Sequence, residues 1–311
     1  MTQKVMTGLE NLKTDPPNFL KGKRLGLLAN PASVDKTFTH SLDIISRLFP
    51  GQLTALFSPQ HGFYAEKQDN MIESDHGMER RLNIPVFSLY SETRIPTHRM
   101  FDNIDTLIVD IQDVGTRVYT FIYTISYCIE MAARLKKTVV ILDRPNPIGG
   151  LSVEGNVLNP DCASFVGRFP IPMRHGLTVG EISQFFNQEF NLGCDLKIIP
   201  MKGWKRSMYW QDTDLVWIPP SPNLPTPLSC MVYPGQVIFE GTNISEGRGT
   251  TLPFEQFGAP FLDTGAIGQM AGKIIKGAFL RPVNFEPTSG KWQQQVCHGF
   301  HIHVTSRKIF K

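Results

Sequence analysis

What the sequence lacks narrows its function first. No Cys-x-x-Cys pair occurs. The five cysteines, Cys128, Cys162, Cys194, Cys230 and Cys297, are odd in number and widely spaced. That excludes a zinc ribbon or thioredoxin-type motif and fits reduced thiols in a cytoplasmic protein. No apolar run approaches the ~18–20 residues of a membrane span. Residues 1–23 are polar, carry Pro16-Pro17 and have no apolar signal-peptide core. The expectation is a soluble, cytoplasmic chain that is not exported. Charge of one sign is also missing: Lys and Arg number 31 against 28 Asp and Glu, for a net charge of +3. Such a balance argues against a nucleic-acid partner.

The nucleotide and nucleophile signatures are absent too. There is no Gly-x-Gly-x-x-Gly, no Gly-x-x-x-x-Gly-Lys-Ser/Thr and no Gly-x-Ser-x-Gly. Histidines are not spaced as metal ligands: His61 and His76 stand apart, and His301-Ile302-His303 alternates as a strand would. Neither a metal nor a cofactor is expected.

What is there is a globular composition, 41% hydrophobic and 19% charged over 311 residues, enough for one large domain or two. Short continuous apolar runs at 24–29, 53–57, 84–90, 106–111 and 138–142 read as buried strands. The Leu42, Ile45, Leu48 spacing over 41–49 reads as an amphipathic helix, and 118–135 is long enough for another. Thr178-Val-Gly-Glu181 is a capping-box pattern opening a further helix, and 196–199 follows as a possible strand. This alternation predicts an α/β chain with a mainly parallel sheet and helices on both faces. Five prolines in the nine residues 219–227 form the strongest linker signal.

Polar residues follow every strand: Asn30; Gln60 and His61; Glu92; Asp110, Gln112, Asp113 and Arg117; Asp143, Arg144 and Asn146. In an open parallel sheet these ends share one edge, where ligands bind. Helix caps and turns explain each one singly; five ends together favour a polar pocket. A second dense cluster, 239–251, holds Glu240, Asn243, Glu246, Arg248 and three glycines. Carboxylates, amides and guanidinium groups suit a polyhydroxylated substrate and carboxyl acid catalysis.

Ser58-Pro-Gln-His-Gly62, Asp110-Ile-Gln-Asp-Val-Gly115, Leu142-Asp-Arg-Pro-Asn-Pro147, Ser221-Pro-Asn223 and the segment Glu240 to Thr250 together resemble the DUF1343 family of NamZ-type exo-β-N-acetylmuramidases. The resemblance runs from Gly8 to Arg307. It implies a Rossmann-like domain over 1–225, a smaller C-terminal α+β domain over 226–311 and an active-site cleft between them. It also implies release of terminal N-acetylmuramic acid from muropeptide fragments without a cofactor or metal. Two departures stand out. The family carries Glu where this chain has Gln60, and the family continues beyond the 302–307 segment, so the C-terminal domain looks incomplete. Relatives are often exported.

The candidate catalytic carboxylates are Glu246, favoured as acid or transition-state stabiliser, with Glu66, Glu73 and Asp110; Asp113, Glu154 and Glu240 are further candidates. The candidate substrate-binding residues are Asn30, Gln60, His61, Glu92, Gln112, Asp113, Arg117, Asp143, Arg144, Asn146, Asn223, Glu240, Asn243 and Arg248. Arg117, Arg144 and Arg248 are three open choices for binding the lactyl carboxylate of muramic acid. Tyr90, Tyr119 and Tyr123 can stack on a sugar or pack in the core. The alternatives are a non-catalytic muropeptide-binding protein and, more weakly, a nucleotide enzyme. Oligomeric state is not legible.

Overall fold

A computed structural model of the chain describes residues 4–65, 67, 73–91 and 93–310. The chain divides into two compact units, Met1–Pro222 and Asn223–Lys311.

The first unit is built on a seven-stranded sheet. Its strands are β1 (Leu25–Ala29), β2 (Leu53–Ser58), β3 (Gly77–Glu79), β4 (Ile84–Ser88), β5 (Thr106–Asp110), β6 (Thr138–Leu142) and, later in the chain, β9 (Asp195–Ile199), in the order β3-β4-β2-β1-β5-β6-β9. All neighbours pair in parallel except the short edge strand β3, which runs antiparallel to β4. Every residue of β1 and β5 is buried, which is why these strands read as unbroken apolar runs rather than alternating ones. A two-stranded hairpin of β7 (Glu154–Val157) and β8 (Pro172–Arg174) lies outside the sheet.

Helices cover both faces. On one, α1 (Gly8–Thr14) and α2 (Ser41–Leu48) contribute Leu9, Leu12, Leu42 and Ile45 to a core with Leu25, Leu27, Leu56 and Val140. The one-turn α3 (His98–Phe101) leads into β5. On the other face, α4 (Phe121–Arg134) and α5 (Val179–Glu189) bury Ile122, Tyr123, Ile182 and Phe186 with Phe169 and Ile171. The expected capping box forms: Thr178 accepts from the Glu181 amide, and the Glu181 carboxylate accepts from the Thr178 amide. Neither β3, α1 nor the β7–β8 hairpin has a strong periodic signal, because all are short and partly exposed.

In the second unit α6 (Pro227–Gln236) starts with Pro227 in its first turn, where the missing N–H costs nothing. A three-stranded antiparallel sheet follows in the order β10 (Gln256–Ala259), β12 (Cys297–Val304), β11 (Ala278–Phe285), with α7 (Thr264–Ile274) between β10 and β11. Phe254, Phe257 and Phe300 are its buried aromatic core. The proline-rich 219–227 stretch thus spans the division between the two units. Among the described residues no helix is long and apolar enough to cross a membrane.

Candidate active site

The strand order reverses direction at β1 and β5: the chain steps outward from β1 through β2 to β4, then crosses back to β5. A crevice outside the C-terminal ends of the strands is expected at such a switch point. Asn30, Gln60, Asp113 and Arg144 all follow the C-terminal ends of their strands, on this edge. The deepest part is closed by the protein's own bonds. Asn30 donates from Nδ2 to the Gln112 carbonyl at 3.3 Å, and Ser33 Oγ donates to the Asp110 carbonyl. Gln112 donates from Nε2 to the carbonyls of Asp113 and Pro145 at 2.7 and 2.9 Å. Asn146 spans a turn, accepting from the Ile148 amide and donating to the Leu177 carbonyl. Gly115 makes this loop packing possible. Its φ is +80°, and a Cβ there would stand 2.4 Å from Asn146 Oδ1.

Several charged candidates are committed to the fold. Both oxygens of Asp110 are held by Arg144, Nε to Oδ1 at 2.6 Å and Nη2 to Oδ2 at 2.9 Å. That pair removes Asp110 from the free carboxylates and Arg144 from the free guanidinium groups. Arg117 donates from Nη1 to the carbonyls of Asn156 and Ile171, pinning the β7–β8 hairpin. Asp143 accepts from the Gly180 amide at 2.8 Å and from Thr178 Oγ1 at 3.1 Å, so it caps α5. Burial pushes its carboxyl up to about 6, against the pull of those bonds.

Asp113 differs from its neighbours. Its Oδ2 accepts from the Gly115 amide at 2.7 Å and faces His175 Nε2 at 3.6 Å; its Oδ1 is buried without a hydrogen-bond partner among the described residues. His175 accepts from the Leu177 amide at Nδ1, so in the neutral ring Nε2 carries the hydrogen. The Tyr123 hydroxyl is also buried, and burial raises its phenol above the ordinary value, with Arg117 and Asp113 near enough to act on it electrostatically. Gln60 accepts from Thr120 Oγ1 at 2.8 Å, just before α4. His61 has φ +77°, a strained backbone for a non-glycine residue, and its Nδ1 lies 2.8 Å from the Lys67 carbonyl. Buried polar atoms without partners concentrate where a ligand or water completes the structure.

The second unit carries its own charged cluster. Glu246 is buried and faces Lys291 Nζ at 3.1 Å and Arg248 Nε at 3.4 Å. Arg248 also binds Glu240, Nη2 to Oε1 at 2.7 Å. The Asn243 side chain is exposed, while its carbonyl accepts from Trp292 Nε1 at 2.6 Å. Asn223 opens this unit.

Comparison with known proteins decides the family. The family description "Exo-beta-N-acetylmuramidase NamZ, N-terminal" matches residues 25–228, and its C-terminal counterpart matches residues 231–311. The chain belongs to the NamZ family. It is 46% identical over 309 residues to the peptidoglycan β-N-acetylmuramidase NamZ of Bacillus subtilis strain 168, covering 99% of this chain and 74% of that protein. A DUF1343 family protein of Bacteroides fragilis NCTC 9343 superposes with a TM-score of 0.91 at 36% identity, over 99% of this chain and 79% of the other. A second protein of the same family and organism gives a TM-score of 0.77 at 32% identity, over 96% and 76%. The Rossmann-like parallel sheet with a smaller C-terminal α+β unit is therefore the fold of NamZ relatives as well.

Within this NamZ-family site the remaining expectations sort plainly. Glu73 is exposed, and Glu154 pairs with Arg174 at 3.3 Å. Glu66 and Glu92 lie outside the described residues. Arg117, Arg144 and Arg248, the three choices for a carboxylate receptor, all have partners of the protein's own. Tyr90 and Tyr123 are fully buried, so both pack in the core. Two residues escape sequence reasoning: His175, at the end of the β7–β8 hairpin, and Arg94, after β4. The only signal for His175 is Arg174-His175-Gly176, two polar residues and a glycine closing a strand. Among the described residues no group of three or more His, Cys, Asp or Glu side chains could hold a metal ion.

Proposed function

We propose that this chain hydrolyses the bond that links a terminal β-N-acetylmuramic acid to a peptidoglycan fragment, with Asp113 as the carboxyl group that handles the proton. The observation that carries the reading is the Asp113 carboxylate itself. It is buried at the sheet edge, fixed through Oδ2 by the Gly115 amide, and has Oδ1 without a hydrogen bond among the described residues. The neighbouring Asp110 and Asp143 have their oxygens occupied.

Glycoside cleavage needs a proton delivered to the leaving oxygen and stabilisation of an oxocarbenium-like transition state. A carboxyl group held through one oxygen presents the other in a fixed direction, which is what acid or base catalysis requires. His175, with Nε2 turned to Asp113, orients that carboxyl group. Gln60 cannot protonate an oxygen or act as a carboxylate nucleophile. It positions Thr120 and, in this proposal, a sugar hydroxyl or water. Glu246 is held between Lys291 and Arg248. A cytoplasmic place of action belongs to the same proposal, supported by five free thiols, four of them buried.

One observation favours a second reading. Position 60 is an amide, Gln60, where the family resemblance implies Glu, so the chain can instead bind muropeptides without cleaving them. Incubation with a muramic-acid-capped chromogenic glycoside, followed by mass spectrometry of the products, separates the two. Free sugar release supports the glycosidase. A ligand-induced thermal shift without release supports the binding protein.

A further inference from the structure

The arginines first considered for substrate recognition are occupied, but another at the same sheet edge is not. Arg94 follows β4. Its guanidinium carbon lies 4.6 Å from the centroid of the Tyr90 ring and 5.3 Å from that of Phe165. The two rings are themselves 5.6 Å apart. Nε of Arg94 is buried without a hydrogen-bond partner, and among the described residues the side chain forms no hydrogen bond or ion pair. The nearby Ser91 Oγ is likewise buried and unbonded.

A guanidinium N–H taken from water without an acceptor is costly, so the arrangement calls for a group that supplies one. Stacking on aromatic faces fixes the plane of the cation and leaves its edge for a planar, bidentate anion. Arg94 shares the side of the sheet that carries Gln60. β4 pairs with β2, the strand that leads to Gln60, and neighbouring strands lie about 4.8 Å apart.

We propose that Arg94, on its Tyr90–Phe165 platform, binds the carboxylate of the substrate's lactyl group and so selects muramic acid over glucosamine. This rests on the glycosidase reading above and adds the residue that sets its sugar specificity.

The test compares wild type, Arg94→Met, which keeps a flat-packing aliphatic stem without the charge, and Arg94→Lys, which keeps the charge without the fork. Two readouts are needed: kcat/KM on matched muramic-acid and glucosamine glycosides, and the Kd of free N-acetylmuramic acid against its methyl ester. Arg94→Met should lose about 10- to 100-fold on the carboxylate-bearing partner of each pair, as expected for a charge-assisted bond, with little change on the neutral one. Arg94→Lys should recover part of the loss. Equal losses on both partners, or none, would overturn the assignment, as would a wild type that does not distinguish the acid from its ester. Absence of sugar release by wild type, with the acid still bound in preference to the ester and that preference lost in Arg94→Met, would defeat the glycosidase reading and leave Arg94 as the carboxylate receptor.

Discussion

Arg144 grips Asp110 through two parallel bonds of 2.6 and 2.9 Å, with side chains 4% and 0% exposed. The pair ties the end of β5 to the loop after β6, directly under the polar edge. Removing one partner leaves an uncompensated buried charge. Asp110→Asn or Arg144→Met alone should lower stability by about 3–5 kcal/mol in denaturant unfolding, while replacing both by apolar residues should cost far less. A stable Asp110→Asn protein that had lost turnover would instead return Asp110 to the catalytic carboxylates.

Asp143 makes stability depend on pH in a particular direction. Desolvation raises its carboxyl to about 6 in the folded chain, against ~3.9 for an unperturbed aspartate. A folded value above the unfolded one favours the protonated form. The contribution to stability is therefore fully present below pH ~4 and is lost as pH rises through 6. Asp143→Asn retains an acceptor for the Gly180 amide and removes the titration. Between pH 4 and 7, wild type should lose on the order of 2 kcal/mol relative to Asp143→Asn in urea unfolding. Parallel curves across that range would refute the assignment.

Gln60→Glu places a new carboxylate two strands from Asp113, about 10 Å away at ordinary sheet spacing. Both positions are buried, so salt screens the interaction much less than it would on the surface, and two carboxylates in one site push one titration upward. Activity should persist with its pH optimum displaced upward. Muramidase activity that appears only in Gln60→Glu, from an inert wild type, would favour the binding-protein reading of the natural chain.

Much of the scaffold is legible because burial writes itself into sequence. β1, β5 and β6 are unbroken apolar runs, and Thr178 with Glu181 announces α5 before any coordinate is known. The site is less legible. Asp110 and Asp113 sit three residues apart in one motif, yet the first is neutralised by Arg144 and only the second keeps a free oxygen. That outcome depends on a partner from the loop after the next strand, which spacing does not reveal. His175 reaches Asp113 from a hairpin whose short strands carry no clear period. Arg117, Arg144 and Arg248 look like ligand-binding arginines until their carbonyl and carboxylate partners are located. Arg94 belongs to no motif, and its buried Nε, unbonded among the described residues, is a property of the folded chain alone.

The most direct test of the account is the turnover of Asp113→Asn on a muramic-acid-capped glycoside, measured beside wild type together with the Kd of free N-acetylmuramic acid. The amide keeps the size of the side chain and its bond from the Gly115 amide but cannot carry the proton. Turnover should fall by about 10²-fold or more, the range of acid–base contributions, while N-acetylmuramic acid binds as it does to wild type. Near-normal turnover in Asp113→Asn would contradict the account.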